Sequence, residues 1–137
     1  MSKNNEKPNR LVLVIEDDEP TREAILWKLK KSNYEGDSAE DGTVGLEMLK
    51  QKKYAGVLLD LRMPRGDGYY FLGEKNKLAS LKDVPVVVFS NFSQPEFVNR
   101  SLELGAKGYL VKAQHSVGEI VDEFASCVEK GQCLIDR

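Results

Sequence analysis

The reactive side chains of this sequence stand directly after short aliphatic runs. Glu16 and Asp17 follow Leu11-Val12-Leu13-Val14-Ile15, Asp60 follows Val57-Leu58-Leu59, Ser90 follows Val84 to Phe89, and Lys112 follows Gly108 to Val111. Each run reads as a strand, so each reactive group stands at a strand's carboxyl end. Three carboxylates brought together repel one another and raise each other's pKa values unless a cation joins them. Their hard oxygens suit Mg²⁺ (or Mn²⁺), which takes a few carboxylates, several waters and a phosphate oxygen. A carboxylate in such a site can attack phosphorus and form an aspartyl phosphate. Lys112 can neutralise charge on the transferred group, and Ser90 can donate a hydrogen bond to a phosphoryl oxygen.

For these ends to meet, the strands must share one sheet with their carboxyl ends along one rim. The runs at 11–15, 57–59 and 84–89 are apolar at successive positions, as suits strands covered on both faces. Helical stretches separate them. Pro20 opens one that contains Ala24, Ile25 and Leu29, with acids before it and Lys28, Lys30 and Lys31 near its end, as the helix dipole favours. Val44 to Lys52 and Tyr69 to Leu78 read as two more. Glu96 to Leu104 is a fourth, stopped by Gly105. Ser116 to Lys130 is the fifth, with Val117, Ile120, Val121, Phe124 and Val128 at helical spacing. Tyr34 to Ala39 is a polar strand suited to a sheet edge, and Pro64, Gly66 and Gly68 mark a loop. Five βα units in succession predict an α/β fold, a doubly wound parallel sheet in a three-layer sandwich with strand order 2-1-3-4-5. In such sheets ligands bind where the strand order reverses, here between strands 1 and 3, a rule drawn from folds of this kind.

The chain of 137 residues is one domain's worth, and 41% hydrophobic with 31% charged residues argues against global disorder. A net charge of −2 leaves no basic footprint for nucleic acid and no polybasic membrane patch. The aliphatic runs are far shorter than the about 20 residues that span a bilayer. The opening MSKNNEKPNR lacks the apolar segment of a secretory signal. Residues 1–9 read as a flexible N-terminal tail, 10–131 as the folded domain and 132–137 as a C-terminal tail. Cys127 and Cys133 form no CxxC or His/Cys cluster, so neither a zinc site nor a disulfide scaffold is expected. Cys127 reads as a packed thiol and Cys133 as a free one in the tail. A cytoplasmic location follows from these features. No phosphate-cradling glycine motif supports nucleotide binding.

The segments LVLVIEDDEPTRE, GVLLDLRMPRGDGYYFL, PVVVFS and LELGAKGYLVK carry a family resemblance. Over residues 10–130 the chain resembles a bacterial two-component response regulator receiver domain, stand-alone and chemotaxis-regulator-like, with a flavodoxin-like fold. The separations between Asp17, Asp60, Ser90 and Lys112 fit as well. The resemblance implies that Asp60 is the phosphoacceptor, charged by a histidine kinase or histidine phosphotransfer protein in a Mg²⁺-dependent reaction. Asp17 would ligate the ion directly, Glu16 through water, and the backbone carbonyl of Arg62 would be a third ligand. Ser90 would be the switch hydroxyl, Lys112 the phosphate-binding lysine, and Tyr109 the ring that reorients with the switch. The face made by the fourth helix, fifth strand and fifth helix would then change its affinity for a downstream protein, with Phe97 a contact if it faces outward. Such a chain is a signalling phosphoprotein of a phosphorelay rather than an enzyme, beyond its own phosphorylation and dephosphorylation chemistry. About six residues follow the last helix, so output is expected from a partner.

Departures from the family pattern carry expectations of their own. Ala113 stands where the family has proline after the lysine, so the Lys112–Ala113 bond is expected to be trans, or cis under strain. Asn91 and Phe92 follow Ser90, where a small residue is common. Arg62 and Phe92 occupy the two places that tune phosphoryl loss, which predicts a lifetime well beyond seconds. A rival of another class is a phosphorylation-independent adaptor, against which the intact acidic site argues. An aspartate-nucleophile phosphatase wants a second acid near Asp60, and Arg62 is not one. A flavin carrier is disfavoured because the acid-rich first loop would repel the flavin phosphate. Asp18 reads as a helix N-cap, His115 as a surface residue, Trp27 as a cover for a core edge, and Tyr69-Tyr70-Phe71 as helix packing.

Overall fold

A computed structural model describes residues 8–61 and 67–137. Arg62, Pro64 and Gly66 lie outside the described residues. Strands and helices alternate as β1 (Leu11–Ile15), α1 (Glu19–Lys31), β2 (Glu35–Ala39), α2 (Gly42–Gln51), β3 (Gly56–Leu59), α3 (Gly68–Asn76), β4 (Val86–Ser90), α4 (Pro95–Glu103), β5 (Gly108–Val111) and α5 (Val117–Lys130). All strand pairs are parallel, and the order is β2-β1-β3-β4-β5. The order of the βα units and the polar second strand at the edge match what the sequence predicts.

Local chemistry starts the helices. Asp18, Asp41 and Asp67 each accept from a backbone N–H in the first turn of α1, α2 and α3. Ser116 and Glu119 form a reciprocal capping box on α5. Alternation along the strands then divides the core in two. Leu13, Ile15, Val57, Leu59, Val86 and Val88 face α2, α3 and α4 residues such as Leu49, Phe71 and Val98. Val12, Val14, Leu58, Val87, Phe89 and Leu110 face the apolar stripes of α1 and α5, including Ile25, Leu29, Val121 and Phe124.

Several expectations need correction. β4 begins at Val86 rather than Val84, because Pro85 has no N–H to give; its carbonyl instead accepts from Val57 at 2.9 Å. The strand also runs on to include Ser90. Trp27 covers no core edge: it is 62% exposed, with the Lys31 ammonium 5.4 Å from its ring centroid. The Lys112–Ala113 bond, by contrast, is trans, the first of the two expected forms, and Lys112–Gln114 forms a 3-10 turn. Cys127 and Cys133 are joined by a disulfide rather than present as a packed and a free thiol. The cause is the chain path. Gly131 ends α5 at φ 70°, a left-handed conformation that suits glycine, and turns the chain back on itself. Residues 132–137, read as a tail, then run beside β5, where Ile135 forms a parallel bridge with Tyr109. Among the described residues no helix is long and apolar enough to cross a membrane.

One contact ties the carboxyl end of α1 to that of α5. Tyr34, buried just after α1, donates its hydroxyl to Glu129 of α5, while the Arg10 guanidinium lies 4.1 Å from the ring centroid. Burial, reinforced by the Glu129 carboxylate, pushes the Tyr34 pKa from 10.0 up to about 12. The unfolded chain releases this proton from its ordinary pKa upward, whereas the folded chain keeps it. The contribution is therefore complete below the unfolded pKa and is lost as pH rises toward the folded value of about 12. Urea titrations at stepped alkaline pH should show Tyr34→Phe losing less stability across that interval than the unmutated chain. Parallel losses in the two proteins would show that Tyr34 is not the group responsible.

Candidate functional site

The sheet register builds the site. Ile15 lies opposite Leu59, and the Asp60 N–H donates to the Ile15 carbonyl at 3.0 Å, so Glu16 and Asp60 leave adjacent strands side by side. Asp17 follows at the mouth of the same loop. Carboxylate oxygens of Glu16, Asp17 and Asp60 all lie within 4.8 Å of one another. Glu16 and Asp60 are buried, and Asp17 is exposed. On the far side Ser90 lies opposite Val111, so Lys112 leaves β5 beside the end of β4.

Lys112 reaches back across the rim. Its ammonium donates to Glu16 Oε1 at 2.6 Å, lies 3.5 Å from Asp60 Oδ2, and sits 5.0 Å from the centroid of the Phe89 ring. Burial drives the Glu16 carboxyl up to about 7; the Lys112 ammonium opposes that rise and the Asp60 charge adds to it. The other Glu16 oxygen accepts from the Asp18 N–H at 3.1 Å, and Arg22 donates to the Glu16 backbone carbonyl at 3.0 Å. Glu16 is thus held from three directions. Asp18 caps α1 through the Thr21 N–H, as its sequence position predicts.

Ser90 and Tyr109 belong to a second layer of the same rim. Ser90 is fully buried, and its Oγ accepts from the Phe92 N–H at 3.1 Å. Tyr109 is buried with its ring already turned inward, and its hydroxyl donates to the Phe92 carbonyl at 2.7 Å. Burial raises the Tyr109 pKa, with the Ser90 hydroxyl working the other way. Phe97 does not face freely outward: it is half-buried and stacks on Phe92, ring centroids 4.4 Å apart and 15° from parallel. The structure therefore gathers Glu16, Asp17, Asp60 and Lys112 at one point, with Ser90 and Tyr109 joined to each other through Phe92. Arg62, expected to offer a backbone carbonyl, lies outside the described residues. His115, read as a surface residue, is half-buried and pairs through Nε2 with Asp136 Oδ2 at 2.7 Å. The Phe92 backbone is the participant that sequence reasoning missed, since a carbonyl and an amide have no side-chain signature.

Fold and geometry agree with the family comparison. Residues 12–124 match the response regulator receiver domain family, and the chain belongs to that family. Among curated relatives, the transcriptional regulatory protein PdtaR of Mycobacterium tuberculosis is 32% identical over 122 residues, covering 88% of this chain and 58% of its own length. The phosphate regulon transcriptional regulatory protein PhoB of Escherichia coli is 31% identical over 103 residues, covering 75% and 45%. The chain spans about half the length of these relatives. Among solved structures, the Mn(2+)-bound response regulator Rcp1 superposes with a TM-score of 0.78 at 27% identity, covering 88% of this chain and 96% of that one. The phosphorylated cyanobacterial phytochrome response regulator RcpA gives 0.77 at 25% identity, covering 90% and 96%. The chemotaxis protein CheY4 of Vibrio cholerae, at 22% identity and a TM-score of 0.79 over 85% and 97%, shares the fold.

Three carboxylates with hard oxygens, two of them buried, fit a small divalent cation better than a soft metal, since no thiolate or imidazole stands among them. Glu16, Asp17 and Asp60 each offer one carboxylate oxygen that could hold it. Glu16→Gln should keep the fold and weaken Mn²⁺ binding by about ten- to a hundredfold, the scale seen when a residue supporting a metal site is changed. Isothermal titration with Mn²⁺ reads this out, and unchanged affinity would remove Glu16 from the ion's support.

Proposed function

We propose that the chain is a phosphoacceptor that receives a phosphoryl group on Asp60 and changes a protein-binding face in response. The observation that carries the reading is the placement of one ammonium, Lys112, between Glu16 and Asp60 beside the three-carboxylate cluster. Lys112 serves two carboxylates at once, and the same cluster offers hard oxygens to a divalent ion. The Mn(2+)-bound Rcp1 and the phosphorylated RcpA support the same reading by similarity.

In the proposed reaction an Asp60 carboxylate oxygen attacks phosphorus, and the bond to the donor breaks with its electron pair leaving on the donor nitrogen. The donor is a phosphohistidine on a histidine kinase or phosphotransfer protein. A divalent ion, Mg²⁺ or Mn²⁺, supplies charge neutralisation at the carboxylates when bound. Lys112 exchanges its contact with Glu16 for one with a phosphoryl oxygen. The Ser90 hydroxyl donates to another oxygen, which withdraws it from the Phe92 N–H and loosens the loop that holds Tyr109. Phosphorylation then favours whichever arrangement of Phe92, Phe97 and Tyr109 makes the better contacts, a population shift carried to α4, β5 and α5. The reaction belongs to the chain itself and turns over no separate substrate, and the cytoplasm is the proposed setting.

Intact mass after incubation with acetyl phosphate, with and without Mg²⁺, tests the reading. One phosphoryl group should be gained only with Mg²⁺, and none by Asp60→Asn. Lys112→Ala should slow the gain by about a hundredfold or more, the usual scale for removing a charge-stabilising donor. No gain in a folded protein under donor excess would return the reading to a phosphorylation-independent adaptor.

A further inference from the structure

The segment after α5 touches all three elements of the face assigned above to a downstream partner. Cys133 is bonded to Cys127 of α5. On β5, Leu134 and Asp136 take both backbone groups of Tyr109: its N–H donates to the Leu134 carbonyl at 3.0 Å, and its carbonyl accepts from the Asp136 N–H at 2.8 Å. The Asp136 carboxylate also accepts from the Val111 N–H at 2.8 Å and meets His115. On α4, Arg137 reaches Asn99 at 3.4 Å. The segment packs on both layers, with Cys133 against the α1 and α5 side and Ile135 against the other. Gly108 admits it, since a Cβ there would stand 3.0 Å from the Leu134 carbonyl and 3.6 Å from the Cys133 Cβ.

We propose that the Cys127–Cys133 bond is a redox latch that keeps this segment across α4, β5 and α5, and that reduction by a dithiol uncovers the face. The proposal rests on the phosphoacceptor reading only in treating that face as the output surface. Apart from the covalent bond, the segment is held by individual hydrogen bonds to Tyr109, Val111, His115 and Asn99, one isolated bridge, and the packing of Cys133 and Ile135, far less than a strand inside the sheet. The bond joins the segment to α5 just where Gly131 reverses the chain, so it is the element that keeps the rest in register. Disulfides in reducing compartments are mostly redox-sensing rather than structural, which suits a bond placed over an interaction face.

The chemistry balances with a dithiol as reductant. Cys127 is buried and Cys133 is partly exposed, so the incoming thiolate attacks Cys133 Sγ. A mixed disulfide forms there, and Cys127 leaves as a thiolate that takes a proton. The second thiol of the dithiol then displaces Cys133, which also takes a proton, and the reductant departs as its own disulfide. Two electrons and two protons pass to the protein.

Hydrogen exchange resolved by NMR on the full chain tests the latch, comparing the oxidised protein with the same protein in dithiothreitol. The Tyr109 and Val111 amides, which face the segment, should exchange about tenfold faster or more after reduction, while β1 and β3 amides hold their rates. Cys133→Ser should show the fast pattern without reductant. Unchanged exchange at Tyr109 and Val111 in both cases overturns the proposal, as does equal acceleration in β1 and β3, which would make the bond a support of the whole domain. Two free thiols in the air-oxidised protein would overturn it as well. The assay contains no phosphoryl donor, and Asp60→Asn should respond identically, so failure of the latch and failure of the phosphoacceptor reading are separate results.

Discussion

Crowded negative charge at the rim of the sheet is the constraint around which the rest is arranged. A parallel sheet sends every strand's carboxyl end the same way, and the register of β1 against β3 puts Glu16 and Asp60 shoulder to shoulder. Burying two carboxylates this close costs heavily unless a cation shares the space. Lys112 meets that need from β5, on the other side of β4, and can do so only because β4 and β5 end level at Ser90 and Val111. The helices serve the same end. α1 begins directly after the acids, with Asp18 capping it, and Arg22 on its first turns holds the Glu16 backbone.

Around this centre the Phe92 backbone links parts that no single side chain could join. Its N–H meets Ser90, its carbonyl meets Tyr109, and its ring lies on Phe97 of α4. Movement at Ser90 therefore cannot leave α4 and β5 untouched. Tyr109 is gripped twice, at its hydroxyl by Phe92 and at its backbone by the segment beyond α5.

Much of the fold was legible because the strands are apolar at successive positions and the helices at every third or fourth. Both patterns report burial within one element, which is why α5 could be read from Val117, Ile120, Val121, Phe124 and Val128. The polar composition of β2 betrayed its edge position. The acids, Ser90 and Lys112 were legible because each directly follows an aliphatic run. What stayed hidden depends on where the chain goes between elements. The Cys127–Cys133 bond exists because Gly131 takes a left-handed turn, and no cysteine spacing rule encodes that turn. Trp27 read as a cover for a core edge because it neighbours the buried stripe of α1, yet it stands exposed beside Lys31. The hydrogen bonds of Phe92 involve only its backbone, so its side-chain identity says nothing of them.

The two borders of the sheet are finished by opposite means. β2 ends the sheet with Glu35, Gly36 and Asp37, a sequence too polar and charged to recruit a stray strand. β5, Gly-Tyr-Leu-Val, has no such charges, and its outward amides at Tyr109 and Val111 are occupied by the chain's own final residues. One border resists self-association by composition and the other by occupancy. Colloidal behaviour should accordingly be asymmetric: changes at the β2 border have little to unmask, whereas anything that trims or displaces residues 133–137 bares an apolar template for intermolecular β-pairing.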